Sequence, residues 1–461
     1  MLNHYWNLSE KSILQTNVFY QFGKIGNSRL DFNRGSNPSP IYYQKLPSYS
    51  LRKNNLSDAY RAQEIIVNDG QLNWNTLFKA NRTNASTNSE NAYVLYEDRN
   101  DDKQFTLNAI LNTEINNTLS LNGKLTYKRF HSHNYAKVLD LLGGNGYLDI
   151  NNFADTKTKM QNNLLNPDRI VGKGEQFKYN FNLNATVISA FAQAQFKYNK
   201  IDFFVATNLS KITSQREGLY KNGRFENSSF GKSAALNFTN YGVKSGSTYK
   251  INGRNLIDMN VGYLTQAPTL RNSFSNAREN NNSVENLQSE KIFSTDVSYI
   301  RRSPIITSRL TGYYTSIKEA TEISFYFADG IGGDNTAFVQ EILSGIDKKQ
   351  IGLEFGLEAQ VTATIKLKGA AAMGRFTFAN NPNLYLTSDR TNEGVFDENG
   401  QSKEYTSNLN NYKIAAGPHN AFSVGFEYRD PNYWWFGATT NFFSNTFVDI
   451  APLTRTSNFY T

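Results

Sequence analysis

The 461-residue sequence contains no cysteine. This absence excludes disulfide bridges, thiolate zinc sites and cysteine nucleophiles. The chain has only 4 histidines and its acidic residues are dispersed, so neither a Ser-His-Asp arrangement nor a carboxylate pair can be assembled, and no enzyme is predicted. No stretch approaches the ~18 consecutive apolar residues that cross a bilayer as a helix. The sequence therefore predicts no helical membrane insertion.

Blocks of basic residues are also absent. The formal net charge is +8, but charged residues make up only 19% of the chain and are scattered along it. This pattern favours a dispersed surface or lumen charge over a nucleic-acid interface. The first residues, MLNHYWNLSEKS, show no basic region followed by an apolar core, so no secretory signal is predicted there. If the protein is exported, we expect its true start to lie upstream.

Aromatic residues, in contrast, make up 14% of the chain, with 27 tyrosines and 32 phenylalanines, far too many for a disordered protein. They are prominent in Ala421–Asn445, where a period-two pattern predicts a β-hairpin with its turn at Arg429–Asn432. The rings cluster at the turn end of this hairpin. Because amphipathic rings are favourable at headgroup depth, we interpret the hairpin as part of a membrane barrel.

The same alternation recurs along the chain, beginning with a predicted strand at Gln15–Gly23. Its clearest instance is Leu119–Lys128, whose second face is too polar for a buried core and suits a wet lumen. Between Phe177 and Tyr198 the apolar residues change from odd to even positions near Ile188-Ser189. A single β-bulge at Ile188-Ser189 explains this change, and we predict one there.

Short and long connections alternate strictly between these strands. The long ones are Gly26–Ala92 (with a short helix expected at Asp58–Val67), His131–Gln176, Thr213–Gly231, Ala267–Glu290, Lys318–Lys349 and Asn380–His419. Segregation of loop length by end is typical of outer-membrane barrels, which have short periplasmic turns and long extracellular loops. The predicted fold class is all-β, a transmembrane antiparallel up-and-down β-barrel of roughly 13 strands that occupies residues 1–461.

That strand count is odd, and the chain begins in mid-barrel and stops within an outer loop. An unclosed barrel leaves two unpaired strand edges in lipid, which is prohibitively unfavourable. We therefore expect the sequence to be a fragment of a barrel cut at both ends. The alternative is that another chain supplies the missing strands.

Several segments resemble the barrel domain of TonB-dependent receptors from Bacteroidota. The most specific are YLTQAPTLRNSFSNARENN at Tyr263–Asn281 and FEYRDPNYWWFGATTNFFSNTFVDIAPLTRT at Phe426–Thr456. Further similar segments are NVFYQFGKIGNSRLDF, PSPIYYQKLPSYSL, LDLLGGNGYLDINNFA, REGLYKNGRFENSSFG and NYGVKSGSTYKINGRN. The resemblance covers nearly the whole chain and is weakest in Asn380–Asn411.

The resemblance implies a 22-stranded outer-membrane barrel, of which this chain is a part without the plug domain and without the closing C-terminal strands. It implies active uptake of a scarce nutrient such as a metal chelate, cobalamin, a glycan or a peptide. The implied partners are outer-membrane lipid, TonB through the missing N-terminal region, a small nutrient ligand and a surface lipoprotein. No nucleic acid and no cofactor are implied.

Few residues are candidates for a chemical role. His131-Ser132-His133 has the spacing of a metal-binding pair, but no carboxylate lies near it in sequence, so an outer-loop polar segment is the favoured interpretation. Asp329–Asn335 has the composition of a calcium or phosphate loop but occurs once, which favours a loop tip. Pro268 and Arg271 match the family pattern at a predicted strand exit, where shaping of the exit is the favoured role and substrate contact is the alternative. Glu427 and Arg429 are predicted to face the lumen. No catalytic, metal or cofactor residue is assigned, and substrate-binding residues stay unassigned.

Two other functions remain as alternatives at this point. A passive outer-membrane pore is the same barrel without a plug or energy coupling. A secreted β-sandwich adhesin that binds carbohydrate is a different class, and it predicts a water-soluble protein.

Overall fold

The computed structural model describes residues 1–328, 337–388, 391–395, 404–415 and 417–455. Its strands, in chain order, are β1 Leu2–Ser9, β2 Ser12–Phe32, β3 Tyr93–Glu114, β4 Leu119–Asp140, β5 Tyr147–Leu148, β6 Ile170–Val171, β7 Gln176–Lys197, β8 Ile201–Gly218, β9 Gly231–Lys232, β10 Leu236–Asn252, β11 Asn255–Gln266, β12 Glu290–Arg302, β13 Ile306–Ala328, β14 Ala337–Gln360, β15 Ile365–Phe378, β16 Asn383–Ser388, β17 Thr391–Val395, β18 Glu404–Thr406, β19 Asn420–Arg429 and β20 Trp435–Ser444. The helices are α1 Pro47–Arg52, α2 Leu56–Asp69 and α3 Trp74–Ser86, with 3-10 turns at Tyr43–Lys45, Leu270–Asn272 and Pro452–Arg455.

Long antiparallel strands that pair with their neighbours along the chain form one continuous sheet. Their order is β1, β2, β3, β4, β7, β8, β10, β11, β12, β13, β14, β15, β19 and β20. Within the described residues, β1 pairs only with β2, and β20 pairs only with β19, so these two strands are the edges of the sheet. The up-and-down order predicted from the sequence is confirmed.

The predicted hairpin at Ala421–Asn445 is confirmed, because β19 and β20 pair over their whole lengths. The long and short connections also alternate as predicted, and α2 confirms the helix expected at Asp58–Val67. The count of roughly 13 strands was one too low, since β1 was missed. In this strand Leu2, Trp6 and Leu8 share one face, but the polar residue His4 interrupts that face, so the strand signal was weak.

Several strands extend further toward the long loops than the sequence pattern indicated. Residues assigned to loops from Gly26, His131, Thr213 and Lys318 onward continue as strands to Phe32, Asp140, Gly218 and Ala328 respectively. A membrane requires only about 10 residues of a tilted strand, so these ends project beyond it. Alternation fades there because neither face of the strand is in contact with lipid.

The β-bulge predicted at Ile188-Ser189 is wrong. The register of β7 with β8 runs unbroken from Phe181 opposite Gly218 to Lys197 opposite Asp202, and β4 pairs with Ile188 and Ser189 without a shift. The register shift between β4 and β7 lies further along, beside Lys178, whose φ of 60° is in the left-handed region. The apolar residues change parity because, along the chain, the apolar side of β7 changes from the inward face near the loops to the outward face in the belt.

The outward face of the sheet is apolar and exposed over a belt near the short turns and the middle of the strands. On β4, Leu125 is 63% exposed, and on β19, Val424 is 65% exposed. At the same height in the belt, the opposite face of β4 carries Asn122, Lys124 and Thr126. An exposed apolar face of this extent is unstable in water and suits hydrocarbon, while the polar inward face suits an aqueous lumen.

Aromatic pairs border this belt on both sides. Near the turns, the ring centroids of Phe196 and Phe203 are 4.6 Å apart, and those of Tyr428 and Trp434 are 5.2 Å apart. Toward the long loops, Phe293 and Tyr314 pair across β12 and β13 at 6.3 Å. Two aromatic borders at the ends of an apolar belt are the arrangement expected of a transmembrane barrel.

Buried apolar packing lies on the long-loop side, above the belt. The clusters of buried residues described there include Val94, Ala136, Phe177 and Phe181 between β3, β4 and β7, and Val339, Ile346, Leu384 and Leu386 between β14 and β16. Helix α3 is held by the buried amide of Asn81, which donates to the carbonyl oxygens of Tyr93 at 2.8 Å and Leu141 at 2.9 Å. The long connections thus form a packed mouth on the sheet.

In the described part of the chain, every helix is too short or too polar to cross a membrane.

Candidate functional site

The long-loop end of the sheet is the candidate site, because it brings charged and aromatic side chains from distant segments together. The two histidines considered from the sequence are not part of it. His131 and His133 lie in β4, not in an outer loop as expected, and face outward. His131 Nδ1 is 2.8 Å from Asn184 Oδ1, and His133 Nε2 is 2.7 Å from Asn180 Oδ1. Among the described residues, no three His, Asp or Glu side chains are grouped so that they could hold a metal ion.

The other sequence candidates fall at separate places. Pro268 and Arg271 follow the end of β11 at Gln266, at the strand exit that was predicted, and Arg271 is exposed. Glu427 and Arg429 share the inward face of β19 and form an ion pair near the short turn, with Lys368 Nζ 2.8 Å from Glu427 Oε2. Asp329–Asn335 lies outside the described residues.

Arg216, at the loop end of β8, joins two long connections. It is 2% exposed, and its guanidinium donates to the carbonyl oxygen of Ala277 at 2.6 Å, to that of Ser229 at 3.0 Å and to Asn281 Oδ1 at 2.5 Å. Its Cζ lies 5.0 Å from the ring centroid of Phe181. No carboxylate among the described residues is within ion-pair distance, and burial lowers the pKa of Arg216 to about 9. The side chain still carries its charge at pH 7.

A second cluster centres on Asp98 of β3, which is 4% exposed. Asp98 Oδ1 accepts from the hydroxyl of Tyr179 at 2.6 Å, and Oδ2 lies 3.1 Å from Arg278 Nη2 and 2.6 Å from Arg29 Nε. The guanidinium of Arg278 stands 4.8 Å over the Tyr179 ring. Residues 267–289, which contain Ala277, Arg278 and Asn281, are therefore attached at two points to the inward face of the sheet.

The connection between β4 and β7 is attached through Asp149, which is 3% exposed. Its carboxylate accepts from Asn162 Nδ2 at 2.7 Å and from the backbone N–H of Lys178 at 2.8 Å, and it pairs with Arg169 at 3.0 Å. Burial raises the pKa of Asp149 although these donors favour the ionised form. Beside it, Lys178 Nζ pairs with Asp31 at 2.9 Å.

On the other side of the mouth, Glu341 of β14 is fully buried. Its Oε2 accepts from the Tyr326 hydroxyl at 2.7 Å and from the backbone N–H of Leu453 at 2.8 Å. Burial raises the pKa of Glu341 to about 6, and the negative charge of Asp449 acts in the same direction. This carboxyl therefore holds the segment that follows β20 against the mouth.

Below the mouth, the inward face of the sheet forms a polar groove. It is lined by Asn260, Asp296, Arg309, Thr311, Tyr313 and Glu354. Small residues at inward positions, Ala370 and Ala372 of β15 and Gly356 of β14, leave this face open. The arrangement offers hydrogen-bond donors and acceptors to a polar ligand or to another polypeptide inside the lumen, and it contains no nucleophile activated by a base.

No protein-family model matches the chain, and no curated protein matches it in sequence. Solved structures do match in fold. Copper transporter OprC superposes with a TM-score of 0.51 at 10% identity, covering 94% of this chain and 57% of that chain. The fold is that of a TonB-dependent receptor barrel.

Two further solved receptors match less closely. FpvA of P. aeruginosa bound to heterologous pyoverdines gives a TM-score of 0.48 at 9% identity, covering 95% of this chain and 48% of that chain. The ferric-catecholate import receptor Fiu from E. coli K12 gives 0.46 at 9% identity, covering 92% and 56%. TM-scores below 0.5 add no argument to the likeness in fold. The chain spans about half the length of these solved proteins.

Arg216, Asp98, Arg278 and Glu341 were not singled out from the sequence. Arg216 and Arg278 lie inside two of the segments that carry the resemblance to the receptor barrel, Arg216–Gly231 and Tyr263–Asn281. The structure shows that these two segments touch each other through Arg216. Asp98 belongs to a charged run at 97–102, in which no sequence pattern distinguishes one acid from another.

We predict that Arg216→Met detaches residues 267–289 from β8. The substitution leaves the buried carbonyl oxygen of Ser229 and the partly buried oxygens of Ala277 and Asn281 without their donor, which costs on the order of 3 kcal/mol. Amide hydrogen exchange of residues 270–284 is expected to accelerate. Arg271→Met is the matched control, because Arg271 is exposed on the same segment. Equal acceleration in both variants, or in neither, would contradict the role of Arg216.

We also predict that the packing around the buried Glu341 carboxyl loses stability as pH rises, because burial disfavours the ionised form. The pKa of Glu341 is about 6 in the folded protein against 4.5 when exposed, so the folded form binds more protons between these values. The contribution of Glu341 to the free energy of unfolding is fully present below about pH 4.5. It falls by about 2 kcal/mol as the pH rises through about 6.

The measurement is the exchange protection of the Ile342 and Leu343 amides, which lie in the sheet beside Glu341, corrected for their intrinsic rates, between pH 4.5 and pH 7. Glu341→Gln should remove the pH dependence, whereas Glu322→Gln should preserve it. A protection factor that does not change with pH in the unmodified protein would rule out this linkage.

Proposed function

We propose that residues 1–461 form part of the barrel of an outer-membrane TonB-dependent transporter that takes up a scarce nutrient. The supporting observation is the combination of an exposed apolar belt, two aromatic borders and a packed, charged mouth on the long-loop side. In this assignment the polar groove on the inward face of the sheet contacts the rest of the receptor, and the mouth receives the ligand.

The proposed partners follow from these surfaces. Outer-membrane lipid contacts the apolar belt. A small nutrient ligand enters at the mouth, where Arg271 is a candidate contact because it is exposed at the exit of β11. We propose that TonB binds a region N-terminal to residue 1 and that a surface lipoprotein covers the long loops, as the family resemblance implies. The class of nutrient is a metal chelate, cobalamin, a glycan or a peptide.

The two alternatives differ from this proposal in specific features. A secreted β-sandwich buries its apolar faces between two sheets, whereas here residues such as Val424 and Leu125 stay exposed on a single sheet. A passive pore shares the barrel, so structure favours neither the pore nor the transporter. Energy coupling separates them.

The test uses the intact gene in its host. Deletion of the gene and deletion of TonB should each abolish growth on the same limiting nutrient, when iron chelates, copper, cobalamin and glycans are supplied one at a time. If loss of the gene impairs uptake but loss of TonB does not, the protein is a passive pore. If the product fractionates with soluble or secreted proteins, the membrane assignment is wrong.

A further inference from the structure

A ring of basic residues follows the loop-side border of the apolar belt. On each strand that crosses this border, one position is compared: the first outward-facing residue beyond the apolar belt, on the side of the long loops. On seven strands that residue is Lys or Arg: Lys24 on β2, Lys103 on β3, Arg129 on β4, Lys211 on β8, Lys291 on β12, Lys349 on β14 and Arg375 on β15. We call these seven residues the basic collar.

No acidic residue occupies the equivalent position on β7, β10, β11, β13, β19 or β20, the other strands that reach this border. The residues there are Thr186, Thr239, Thr265, Ser316, Asn420 and Ser444. At the opposite border of the belt, near the short turns, the corresponding outward positions carry a single cation, Arg301. Long basic side chains that only snorkel from hydrocarbon to water would favour both borders equally. The asymmetry therefore needs a partner on one side of the membrane.

The collar residues are accessible and largely unpaired within the described part of the chain. All seven are exposed, and only Lys291 has a carboxylate within ion-pair distance, Glu319 at 3.9 Å. Asp101 is the next outward residue of β3 toward the loops after Lys103. Its carboxylate already accepts hydrogen bonds from Arg99 at 2.8 Å and from the Tyr135 hydroxyl at 3.0 Å. Six of the seven collar cations thus have no ion-pair partner among the described residues.

We propose that the basic collar binds the phosphate groups of lipids in the leaflet on the long-loop side. This inference rests on the proposed membrane location. The collar is continuous with the lipid-facing belt and begins where headgroups begin, so phosphates are the anions within its reach.

Lys24, Lys103 and Arg129 form the densest part of the collar. They lie on consecutive strands as diagonal neighbours in the register, which sets them about 7–8 Å apart. Such spacing allows one phosphate to contact two cations. Each Lys or Arg near an anionic lipid surface strengthens binding roughly fivefold, so three together give on the order of 100-fold.

The experiment measures lipid binding to the whole chain in non-ionic detergent by native mass spectrometry. The probes are dioleoyl phosphatidic acid and dioleoyl phosphatidylcholine, which share acyl chains and differ in headgroup charge. Phosphatidic acid should bind on the order of 100-fold more tightly, and the difference should shrink as salt is raised. Equal affinity for the two lipids in the unmodified protein would overturn the proposal.

The variant Lys24→Gln, Lys103→Gln, Arg129→Gln should lose most of the preference for phosphatidic acid. The matched control, Lys124→Gln, Lys128→Gln, Lys244→Gln, removes three cations from the inward face and should keep it. If the collar variant keeps the preference, the collar is not the binding surface.

The salt titration needs no variant and tests the inference even if the collar variant fails to fold. Failure of the proposed function gives a different result. If the protein extracts from membranes with carbonate, no headgroup lies at the collar and both proposals fall. If the protein stays in the membrane but shows no lipid preference, only the collar proposal falls.

Discussion

The need to satisfy every backbone N–H and C=O group away from water governs this structure. In hydrocarbon an unpaired backbone group costs several kcal/mol, so a strand that crosses the membrane must pair along its whole length. The ladders between neighbouring strands meet this requirement, whereas the edge strands β1 and β20 pair on one side only. Across the belt, the register of β3, β4, β7 and β8 is unbroken. The irregularities at Lys178 and between Ile317 and Glu322 lie beyond the belt, on the loop side, where water and side chains can accept the freed groups.

The same strands serve two environments, and the position along the strand decides which. On β7, Ile188 faces lipid and is 57% exposed, whereas Phe177 and Phe181, nearer the loops, face inward and are buried. From Phe181 to Ile188 the register of β7 with both neighbouring strands is unbroken, so the apolar side of the strand changes there without a bulge. Packing above the membrane therefore uses residues other than those that contact lipid, and Arg216, Asp98 and Asp149 fix connections there that have little regular structure of their own.

Much of the fold could be predicted from the sequence, because a membrane strand must alternate strictly. Leu119–Lys128 and the hairpin at Ala421–Asn445 carry this pattern, and the structure agrees with both. The strand ends beyond the belt could not be predicted, since alternation is lost where neither face touches lipid. The bulge at Ile188-Ser189 was a wrong explanation of a correct observation. The site was harder still: Arg216 meets Ala277 and Asn281 across 61 and 65 residues, and no local pattern encodes such a contact.

The most direct test of this account is an accessibility scan of β7 in a bilayer. Because the chain contains no cysteine, single cysteines from Leu183 to Ala194 can each carry a nitroxide label. Ile188, Ala190, Ala192 and Ala194 should be accessible to oxygen dissolved in lipid, and Thr186 and Asn184 to a water-soluble nickel chelate, with one unbroken period of two across the scan. A shift of the accessibility pattern by one residue near Ile188 would show that β7 does contain a bulge there. Uniform access to the nickel chelate would show that the sheet does not lie in a membrane.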